Sequence, residues 1–421
     1  MAPAAKNTSS HCVTFKDIQI AAETLRGQVV RTPLIAAPKL SALTGANVFV
    51  KYENLQFTNS FKDRGAYLKL SSLKPGERKR GVIAMSAGNH AQAVAYHASR
   101  LDIPAVIVMP ENTPFVKIGN TEALGAEVVL SGETLQESRI TADKIAAGRD
   151  LTLIHPYDDP LVIAGQGTVG LEVLTDAPDI ETLVIPIGGG GLISGSAIAA
   201  KVLKPEIEVI GVEAASFPSM YHGIRGETAV CGGQTLAEGI AVKTAGELTL
   251  PIVKDLVSDI ILVDETMIER AVCCLLTIQK SMAEGAGAAG LAALLKEPDR
   301  FRDKKVALFL SGGNIDPRIL ASIIVRGLEQ EEKIISLRLM ITDQPGVLGS
   351  IATLLGEAGA NILEVSHQRM FLDVPAKGAT LDFVIETKDA AHANKVIETL
   401  KSAGLDVTRM TSPADSEFGA F

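Results

Sequence analysis

The chain has 421 residues, of which 47% are hydrophobic and 21% charged, a balance typical of folded domains rather than disordered chains. Its 40 Lys and Arg residues against 49 Asp and Glu give a net charge of −9, which provides no basic surface for nucleic acid. The four cysteines form no Cys-x-x-Cys pair, and the first twelve residues lack an apolar segment. We therefore expect no disulfide framework, no zinc site and no membrane segment, in a soluble, cytoplasmic protein.

Short apolar runs alternate with helical segments through the first 328 residues. Apolar runs with little polar alternation are typical of strands covered on both faces, and hence of parallel α/β sheets with helices on both sides. The predicted strands are Asn47–Glu53, Gly81–Met85, Pro104–Met109, Ala126–Leu130, Leu151–Ile154, Thr182–Ile187, Glu208–Val212, Ile260–Val263 and Lys305–Leu310. We expect one catalytic-sized unit over residues 1–328.

The pattern changes at Glu329–Lys333, a charged segment that we expect to be an exposed linker. After it we predict strand Ile334–Ile341, helix Gly346–Gly359, strands Asn361–Gln368 and Thr380–Thr387, helix Ala390–Ala403 and strand Leu405–Arg409. This βαββαβ order is typical of a small two-layer, ferredoxin-like sandwich. We place this second domain at residues 334–410, followed by a tail at 411–421.

Four strand-to-helix turns are candidate sites, because open parallel sheets bind ligands beyond the carboxyl ends of their strands. The first turn, Ser60–Gly65, puts Lys62 near a helix N-terminus, where the helix dipole should lower its pKa. A Lys that loses its proton near neutral pH can act as a Schiff-base nucleophile. A solvated Lys in the first turn of a helix fits the same sequence.

The second turn is Ser86-Ala87-Gly88-Asn89-His90, directly after a predicted strand. Gly88 allows a ligand to approach the backbone, and the N–H groups that open the next helix can bind a carboxylate. Asn89 offers both a donor and an acceptor, which favours a functional role. His90 could be a base, but we expect it to be a helix-start residue bonded to the backbone.

The third turn contains four consecutive glycines, Gly188 to Gly191, and opens a helix. A row of unobstructed N–H donors at a helix N-terminus indicates a phosphate cradle. Glu213 follows Gly191 at the spacing of a dinucleotide site, so a dinucleotide-dependent oxidoreductase is an alternative. However, no Gly-x-Gly-x-x-Gly pattern can be drawn through the loop, and this interpretation leaves Lys62 without a role.

The fourth turn, Ser311-Gly312-Gly313-Asn314, follows the last strand of the sheet region. Ser311 stands at the strand's carboxyl end, where its hydroxyl could face the same crevice as the other three turns. A simple helix N-cap explains Ser311 equally well on this evidence.

Together, the four turns resemble those of the serine/threonine dehydratase family of fold type II pyridoxal-phosphate enzymes. His155-Pro156, Ala164–Thr168 and, less closely, Ala283–Gly287 also match that family, and the likeness covers about residues 14–328. It implies two open, mostly parallel sheets flanked by helices, with a smaller lobe at about residues 50–155 inserted in a larger one.

The resemblance also implies a role for each candidate residue. Lys62 would bind pyridoxal 5'-phosphate and act as the catalytic base. The remaining cofactor contacts would be Phe61 beside the ring, Asn89 at its phenolic oxygen, Glu284 near the ring, Ser311 at the pyridine nitrogen, and Gly188, Gly189, Gly190, Gly191 and Leu192 at the phosphate. The substrate carboxylate would lie at Ser86, Ala87, Gly88, Asn89 and His90.

The implied reaction is β-elimination from L-threonine, and from L-serine, to a 2-oxo acid and ammonia. A serine racemase and a 3-hydroxyaspartate dehydratase of the same fold remain alternatives. Ala87 stands where the family's racemases have an acid/base Ser, which favours elimination. The family's metal-binding members have a second acidic residue six positions after Glu213, and Ser219 stands there in this chain. We therefore expect no divalent cation site.

The C-terminal domain resembles an ACT domain through Asp343–Leu348 and Gly359–Ile362. We hypothesise that Asp343, Gln344, Gly346 and Asn361 cluster at one edge and bind a hydrophobic amino-acid effector such as isoleucine or valine. A module that only aids assembly is the alternative, and a non-catalytic amino-acid sensor would leave the first 328 residues without a use. The resemblance implies a homo-oligomer, either a dimer or a tetramer.

Overall fold

The computed structural model describes residues 11–368 and 378–410 of the chain. The chain divides into two compact units, with the boundary between Asp316 and Pro317. The helix Pro317–Gln330 groups with the C-terminal unit, whereas the sequence analysis places its domain boundary after residue 328. The first two residues of the expected linker 329–333 belong to this helix.

The two units contain fourteen strands and seventeen α-helices within the described ranges. The strands are β1 (Leu34–Ala36), β2 (Asn47–Tyr52), β3 (Val82–Met85), β4 (Ala105–Met109), β5 (Glu127–Leu130), β6 (Thr152–Leu153), β7 (Thr182–Pro186), β8 (Glu208–Ala214), β9 (Asp259–Val263), β10 (Lys305–Leu310), β11 (Ile334–Thr342), β12 (Asn361–Gln368), β13 (Gly378–Glu386) and β14 (Asp406–Met410). The helices are α1 (Phe15–Leu25), α2 (Pro38–Thr44), α3 (Lys62–Ser71), α4 (Pro75–Arg80), α5 (Asn89–Arg100), α6 (Phe115–Ala123), α7 (Leu135–Arg149), α8 (Pro160–Asp176), α9 (Gly191–Leu203), α10 (Ser219–Gly223), α11 (Thr249–Leu256), α12 (Glu265–Thr277), α13 (Gly285–Lys296), α14 (Pro298–Phe301), α15 (Pro317–Gln330), α16 (Val347–Glu357) and α17 (Ala390–Ser402).

The first unit contains two sheets, as the continuous apolar runs predicted. The larger sheet has the strand order β1-β2-β10-β7-β8-β9, and all of its pairings are parallel except that of β1 with β2. The smaller sheet has the order β5-β4-β3-β6 and is entirely parallel. All nine predicted strands are present. The sequence analysis missed β1, because a three-residue strand that is largely exposed leaves no hydrophobic pattern.

Helix α8 fixes the positions of two of the candidate turns. Gly165 packs so closely on α3 that a Cβ there would lie 2.8 Å from the Cα of Gly65, three residues after Lys62. Further along α8, a Cβ at Gly167 would lie 2.8 Å from the carbonyl oxygen of Gly195 in α9. The glycines of the Ala164–Thr168 motif therefore bring the Lys62 helix and the tetraglycine helix against the same support.

After α15, the second unit has the predicted βαββαβ order and an antiparallel sheet, β12-β13-β11-β14. One face of the sheet is apolar, with Leu337, Leu339, Phe383 and Ile385 buried, and it shares a core with α16 and α17. Alternation along β11 and β13 gave a reliable prediction here, since each strand has one buried face.

The expectation that the effector residues cluster at one edge is wrong within a single chain. Asn361 pairs with Glu386 opposite the start of β11, whereas Asp343, Gln344 and Gly346 follow the end of β11. At about 3.3 Å per residue, the length of β11 separates the two ends by about 25 Å. The two ends are separated because α16 leads the chain from the end of β11 back to the level of its start, where β12 begins.

No helix in the described ranges is long and apolar enough to span a membrane. The four cysteines, all of which lie within the described ranges, form no disulfide.

We predict that Gly195→Ala destabilises the first unit by about 1–3 kcal/mol, because its Cβ would lie 2.6 Å from the backbone nitrogen of Gly167 in a packed helix interface. Urea unfolding of the purified protein measures the change. Gly148→Ala is the matched control, since a Cβ there meets nothing within 4 Å. The control should be neutral or stabilising by about 0.5–1 kcal/mol. Equal stability of the two variants would contradict the assigned role of α8.

Candidate active site

The first and fourth turns are joined by backbone hydrogen bonds. Phe61 donates its N–H to the carbonyl oxygen of Ser311 at 3.0 Å, and Gly313 donates to that of Asn59 at 2.9 Å. Ser311 is almost fully buried at the end of β10. These contacts place Lys62, the first residue of α3, beside the carboxyl end of β10.

Asn89 connects the second turn to the fourth. Its side-chain amide donates to Glu284 Oε1 at 2.7 Å, and its oxygen accepts from Asn314 Nδ2 at 2.7 Å. Glu284 in turn donates its backbone N–H to the carbonyl oxygen of Gly312 at 3.1 Å. Asn89 and Glu284 thus belong to one hydrogen-bond network. Asn314 belongs to it as well, although the sequence analysis predicted no role for this residue.

The Lys62 amine is partly buried and donates to the carbonyl oxygen of Pro156 at 2.7 Å. Burial lowers its pKa to about 8, and the opposing charge of Glu284 limits the decrease. The direction agrees with the sequence prediction, but its largest cause is burial rather than the helix dipole. A fraction of this amine is therefore neutral near pH 7 and available as a nucleophile or base.

Glu284 lies in the same cleft, and burial raises its pKa to about 7. The negative charge of Glu238 contributes to the increase, whereas the Asn89 hydrogen bond and the charges of Lys117 and Lys62 act in the opposite direction. Two titratable groups with pKa values near neutrality thus face the same space, an arrangement typical of catalytic sites.

The tetraglycine loop joins β7 to α9, which begins at Gly191. A Cβ at Gly189 would overlap the ring of Tyr157, and one at Gly190 would lie 2.8 Å from the side chain of Thr249. Gly190 also has φ +94°, which other residues rarely adopt. The loop is therefore glycine-rich because the surrounding side chains leave no room, and this packing keeps it rigid.

The loop can still donate hydrogen bonds to an anion. The first N–H groups of a helix have no acceptor within that helix, so those from Gly191 onward are free to bind a ligand. Leu192, the second residue of α9, buries its side chain in the core and offers only its N–H. Thr249 Oγ1 donates to the carbonyl oxygen of Gly189 at 2.6 Å, which holds the loop in place.

The segment His155–Asp158 was noted in the sequence only for its His-Pro pair, and it completes the site. Pro156 receives the Lys62 hydrogen bond, and Tyr157 covers Gly189. His155 Nδ1 accepts the N–H of Asp158 at 2.8 Å, which fixes the turn. No residue pattern in the sequence indicates these contacts, because they join turns that are distant along the chain.

His90 has the structural role that the sequence analysis favoured. Its Nε2 lies 2.9 Å from the carbonyl oxygen of Ile154, and burial lowers its pKa to about 3, so its side chain is a poor base at neutral pH. Ser86 Oγ accepts the N–H of Gly88 at 3.2 Å and shapes the turn beside Ala87. Helix α5 begins at Asn89, so its first N–H groups can bind a carboxylate there.

A buried cluster of charges supports α3 beneath Lys62. The guanidinium of Arg64 is fully buried and forms hydrogen bonds with Glu53 and Glu172 at 2.7–2.9 Å. Lys51 completes the cluster through Glu172. Burial alone would raise the pKa of Glu53, but the charges of Arg64 and Lys51 hold it below its usual value. Removal of one partner would leave a buried charge unpaired, at a cost of about 3–5 kcal/mol.

Glu213 is held by backbone donors. Its carboxylate accepts the N–H groups of Met220 and Tyr221, both at 2.8 Å, and burial raises its pKa to about 7. The Ser219 hydroxyl lies at 3.5 Å. Within the described ranges, no three His, Cys, Asp or Glu side chains cluster as metal ligands would.

Comparison with known families matches both units. Residues 25–312 match the family model described as pyridoxal-phosphate dependent enzyme, and residues 335–405 match the ACT domain. The first match covers more than half of the chain. The chain therefore belongs to the family of pyridoxal-phosphate-dependent enzymes and carries a C-terminal ACT domain.

Relatives and solved structures agree with this membership. The L-threonine ammonia-lyase of Thermotoga maritima is 45% identical over 397 residues, which cover 94% of this chain and 99% of that protein. The processed form of threonine deaminase isoform 2 from Solanum lycopersicum has a TM-score of 0.71 at 35% identity and covers 76% of this chain and 89% of its own. The maize serine racemase structure also has a TM-score of 0.71, at 34% identity, with 76% and 100% covered.

The geometry of the cleft fits pyridoxal phosphate. The tetraglycine loop is held by side chains that leave no room for a Cβ, and it lies at a helix N-terminus suited to a phosphate. The Lys62 amine has a lowered pKa, as a lysine that binds an aldehyde requires. Ser60 Oγ, next to Phe61, is buried without a hydrogen-bond partner, so this side of the cleft has an unused polar atom.

We predict that the apoprotein captures pyridoxal phosphate with a rate that rises with pH through a midpoint near 8, because only the neutral Lys62 amine forms the bond. Borohydride reduction followed by peptide mass mapping locates and quantifies the adduct. Glu284→Gln should move the midpoint to lower pH, since the Glu284 charge raises the pKa of Lys62. A midpoint near the ordinary value of 10.5, or an adduct elsewhere, would contradict this assignment.

Proposed function

We propose that this pyridoxal-phosphate-dependent enzyme is a lyase that eliminates the β-hydroxyl of L-threonine, and of L-serine, to give a 2-oxo acid and ammonia. One observation carries the proposal: the partly buried Lys62 amine lies in a site with Asn89 and Glu284, in a chain 45% identical to an L-threonine ammonia-lyase across almost its whole length. The ACT domain lies within the same full-length match.

The residues of the cleft divide the work of binding. Lys62 would hold the cofactor, the N–H groups at the start of α9 would bind its phosphate, and Asn89 and Ser311 would face its ring. The substrate carboxylate binds at the start of α5, where Ser86 and the free N–H groups of the first turn lie together. When bound, pyridoxal phosphate supplies an electron sink for the charge that develops on Cα.

Proton transfer is the task of Lys62. Its free amine removes the Cα proton of the substrate, for which a pKa near 8 is well suited at neutral pH. The β-hydroxyl gains a proton as its C–O bond breaks and leaves as water, and the proton removed from Cα balances the one that the hydroxyl gains. The enamine product hydrolyses to a 2-oxo acid and ammonia. The Pro156 carbonyl, which accepts from the amine at 2.7 Å, orients Lys62.

Racemisation would need a second acid/base on the opposite face of the substrate. Ala87 occupies the position where the resemblance puts the racemases' serine, and a methyl group transfers no proton. His90, the nearest titratable side chain in that turn, is bonded to Ile154 and has its pKa lowered to about 3. The turn therefore favours elimination over racemisation.

We predict that the holoenzyme forms 2-oxobutanoate from L-threonine and pyruvate from L-serine, and that Lys62→Ala reduces both rates by at least about 1,000-fold. A 2-oxo-acid assay over a panel of β-hydroxy amino acids, with chiral analysis of the remaining substrate, measures both reactions.

Ala87→Ser is the matched variant, and we expect it to raise the ratio of racemisation to elimination. D-Serine as the main product of the unmodified enzyme would instead identify a racemase. 3-Hydroxyaspartate as the preferred substrate would identify the other alternative.

The second proposal concerns the ACT domain. We place an amino-acid effector, isoleucine or valine, at the end of the sheet that carries Asp343, Gln344 and Gly346. Gly346 caps α16 with φ +92°. Val347 donates its N–H to the carbonyl oxygen of Gln344, and the next N–H groups of the first turn, those of Leu348 and Gly349, have no acceptor within the helix and suit a carboxylate. His367 Nε2 lies at the same end, 3.8 Å from Asp343 Oδ1. Asn361 could contribute to this effector site only from a second copy of the chain. We propose that the protein is a cytoplasmic homo-oligomer, either a dimer or a tetramer.

We predict that Asp343→Ala raises about tenfold the isoleucine or valine concentration that changes the rate of L-threonine turnover, without altering the basal rate. Initial rates over an effector series measure the response in the full-length protein. An unchanged response would contradict an effector site at this end. Asn361→Ala in parallel tests the second copy: loss of response in that variant as well would mean that two chains form the site.

A further inference from the structure

An ion pair that the proposed reaction does not use joins the two sheet regions across the cleft. Lys117 in α6 is bound through its ammonium group to the carboxylate of Glu238. Helix α6 follows β4 of the smaller sheet, whereas Glu238 starts a single 3₁₀ turn, Glu238–Ile240, in the larger region. The two residues are 121 positions apart in sequence, so only the fold brings them together.

The turn that Glu238 begins forms part of the cofactor cleft. A Cβ at Gly188 would lie 3.2 Å from the carbonyl oxygen of Gly239, and one at Gly239 would lie 3.4 Å from Glu284 Oε1. The same short turn therefore touches both the tetraglycine loop and the carboxylate bonded to Asn89. Lys117 is thus linked through one turn to two functional elements of the site.

The two sides of the ion pair are held with unequal strength. The turn is anchored, since Ile240 is buried and the N–H of Leu236 donates to Glu265 at 2.8 Å. In α6, Thr121 is the only buried residue, and Phe115 is 90% exposed. A helix with so few buried contacts belongs to the part of a fold that opens at low cost.

Because of its position, α6 would change access to the proposed substrate site if it moved. Strands β3 and β4 are parallel neighbours, so their carboxyl ends lie at the same edge of the sheet. The Ser86–His90 turn follows β3, and the segment leading to α6 follows β4. Movement of α6 therefore changes access to the edge where the substrate carboxylate is proposed to bind.

We propose that Lys117 and Glu238 are positioning residues that latch α6 to the turn Glu238–Ile240 and so close the cleft over the bound amino acid. The ion pair holds the closed arrangement during the reaction, and its rupture lets substrate enter and product leave. The proposal that substrate is enclosed rests on the proposed lyase function, but the latch itself does not.

Hydrogen–deuterium exchange of the holoprotein without substrate tests the latch directly. Lys117→Gln and Glu238→Gln should each increase exchange in residues 115–123, and the charge swap K117E/E238K should return it to the unmodified level. Arg149→Gln is the control, because it breaks an exposed ion pair with Glu127 in the same lobe and should leave residues 115–123 unchanged. Unchanged exchange in both single variants, or a swap no better than either of them, would overturn the latch.

Steady-state kinetics with L-threonine then test its role in substrate binding. Each single variant should raise KM about two- to fivefold with little change in kcat, as expected for loss of one partly exposed ion pair, and the swap should restore KM. Added NaCl should raise KM of the unmodified enzyme and not of the single variants, because salt screens the pair. An unchanged KM with altered exchange would overturn the closure over substrate. Absence of threonine turnover in the unmodified enzyme would refute the lyase and leave the exchange result valid.

Discussion

The arrangement of the catalytic unit depends on keeping one lysine amine partly buried at the start of a helix. Burial lowers the pKa of Lys62 to about 8, and the Pro156 carbonyl supplies the hydrogen bond that a shielded ammonium or amine requires. The backbone bond from Phe61 to Ser311 fixes the turn, and the Arg64 charge cluster fixes the helix behind it. Each of these contacts restrains α3 and with it the amine, whose proposed role depends on its position to within about 1 Å.

Glycine serves two physical purposes in this fold. In α8 and α9 it allows helices to approach until backbone atoms touch, which gives the Lys62 helix and the tetraglycine loop a common support. In the tetraglycine loop it makes room for Tyr157 and Thr249, and the same crowding removes the flexibility that four glycines would otherwise bring. The free N–H groups at the start of α9 are therefore held in place before any anion arrives, and little entropy is lost on binding.

The two units differ in how their sheets bring residues together. The first contains parallel sheets whose carboxyl ends collect turns from distant parts of the chain into one site. The second is a single antiparallel sheet with one apolar face, and its two ends are about 25 Å apart. An effector that touched residues at both ends would have to join two chains, which connects the proposed regulation to the proposed oligomer.

Much of the fold and of the candidate site was predictable from the sequence. Strands β2 to β10 were predictable from their apolar runs, and β11 and β13 from their alternation of apolar and polar residues. The four turns also stand out in the sequence through their glycines and polar residues. Family membership followed from the same turns. The sequence did not reveal the short strand β1 or the separation of Asn361 from Asp343. It also did not reveal three contacts of the site: the hydrogen bond from Lys62 to Pro156, the packing of the Tyr157 ring on Gly189, and the hydrogen bond from Asn314 to Asn89. These features depend on which distant segments the fold brings together, and the local sequence around a residue does not indicate which segments those are. Tertiary packing also decided the cause of the lowered pKa of Lys62, since burial is a property of the surrounding structure and not of a helix position.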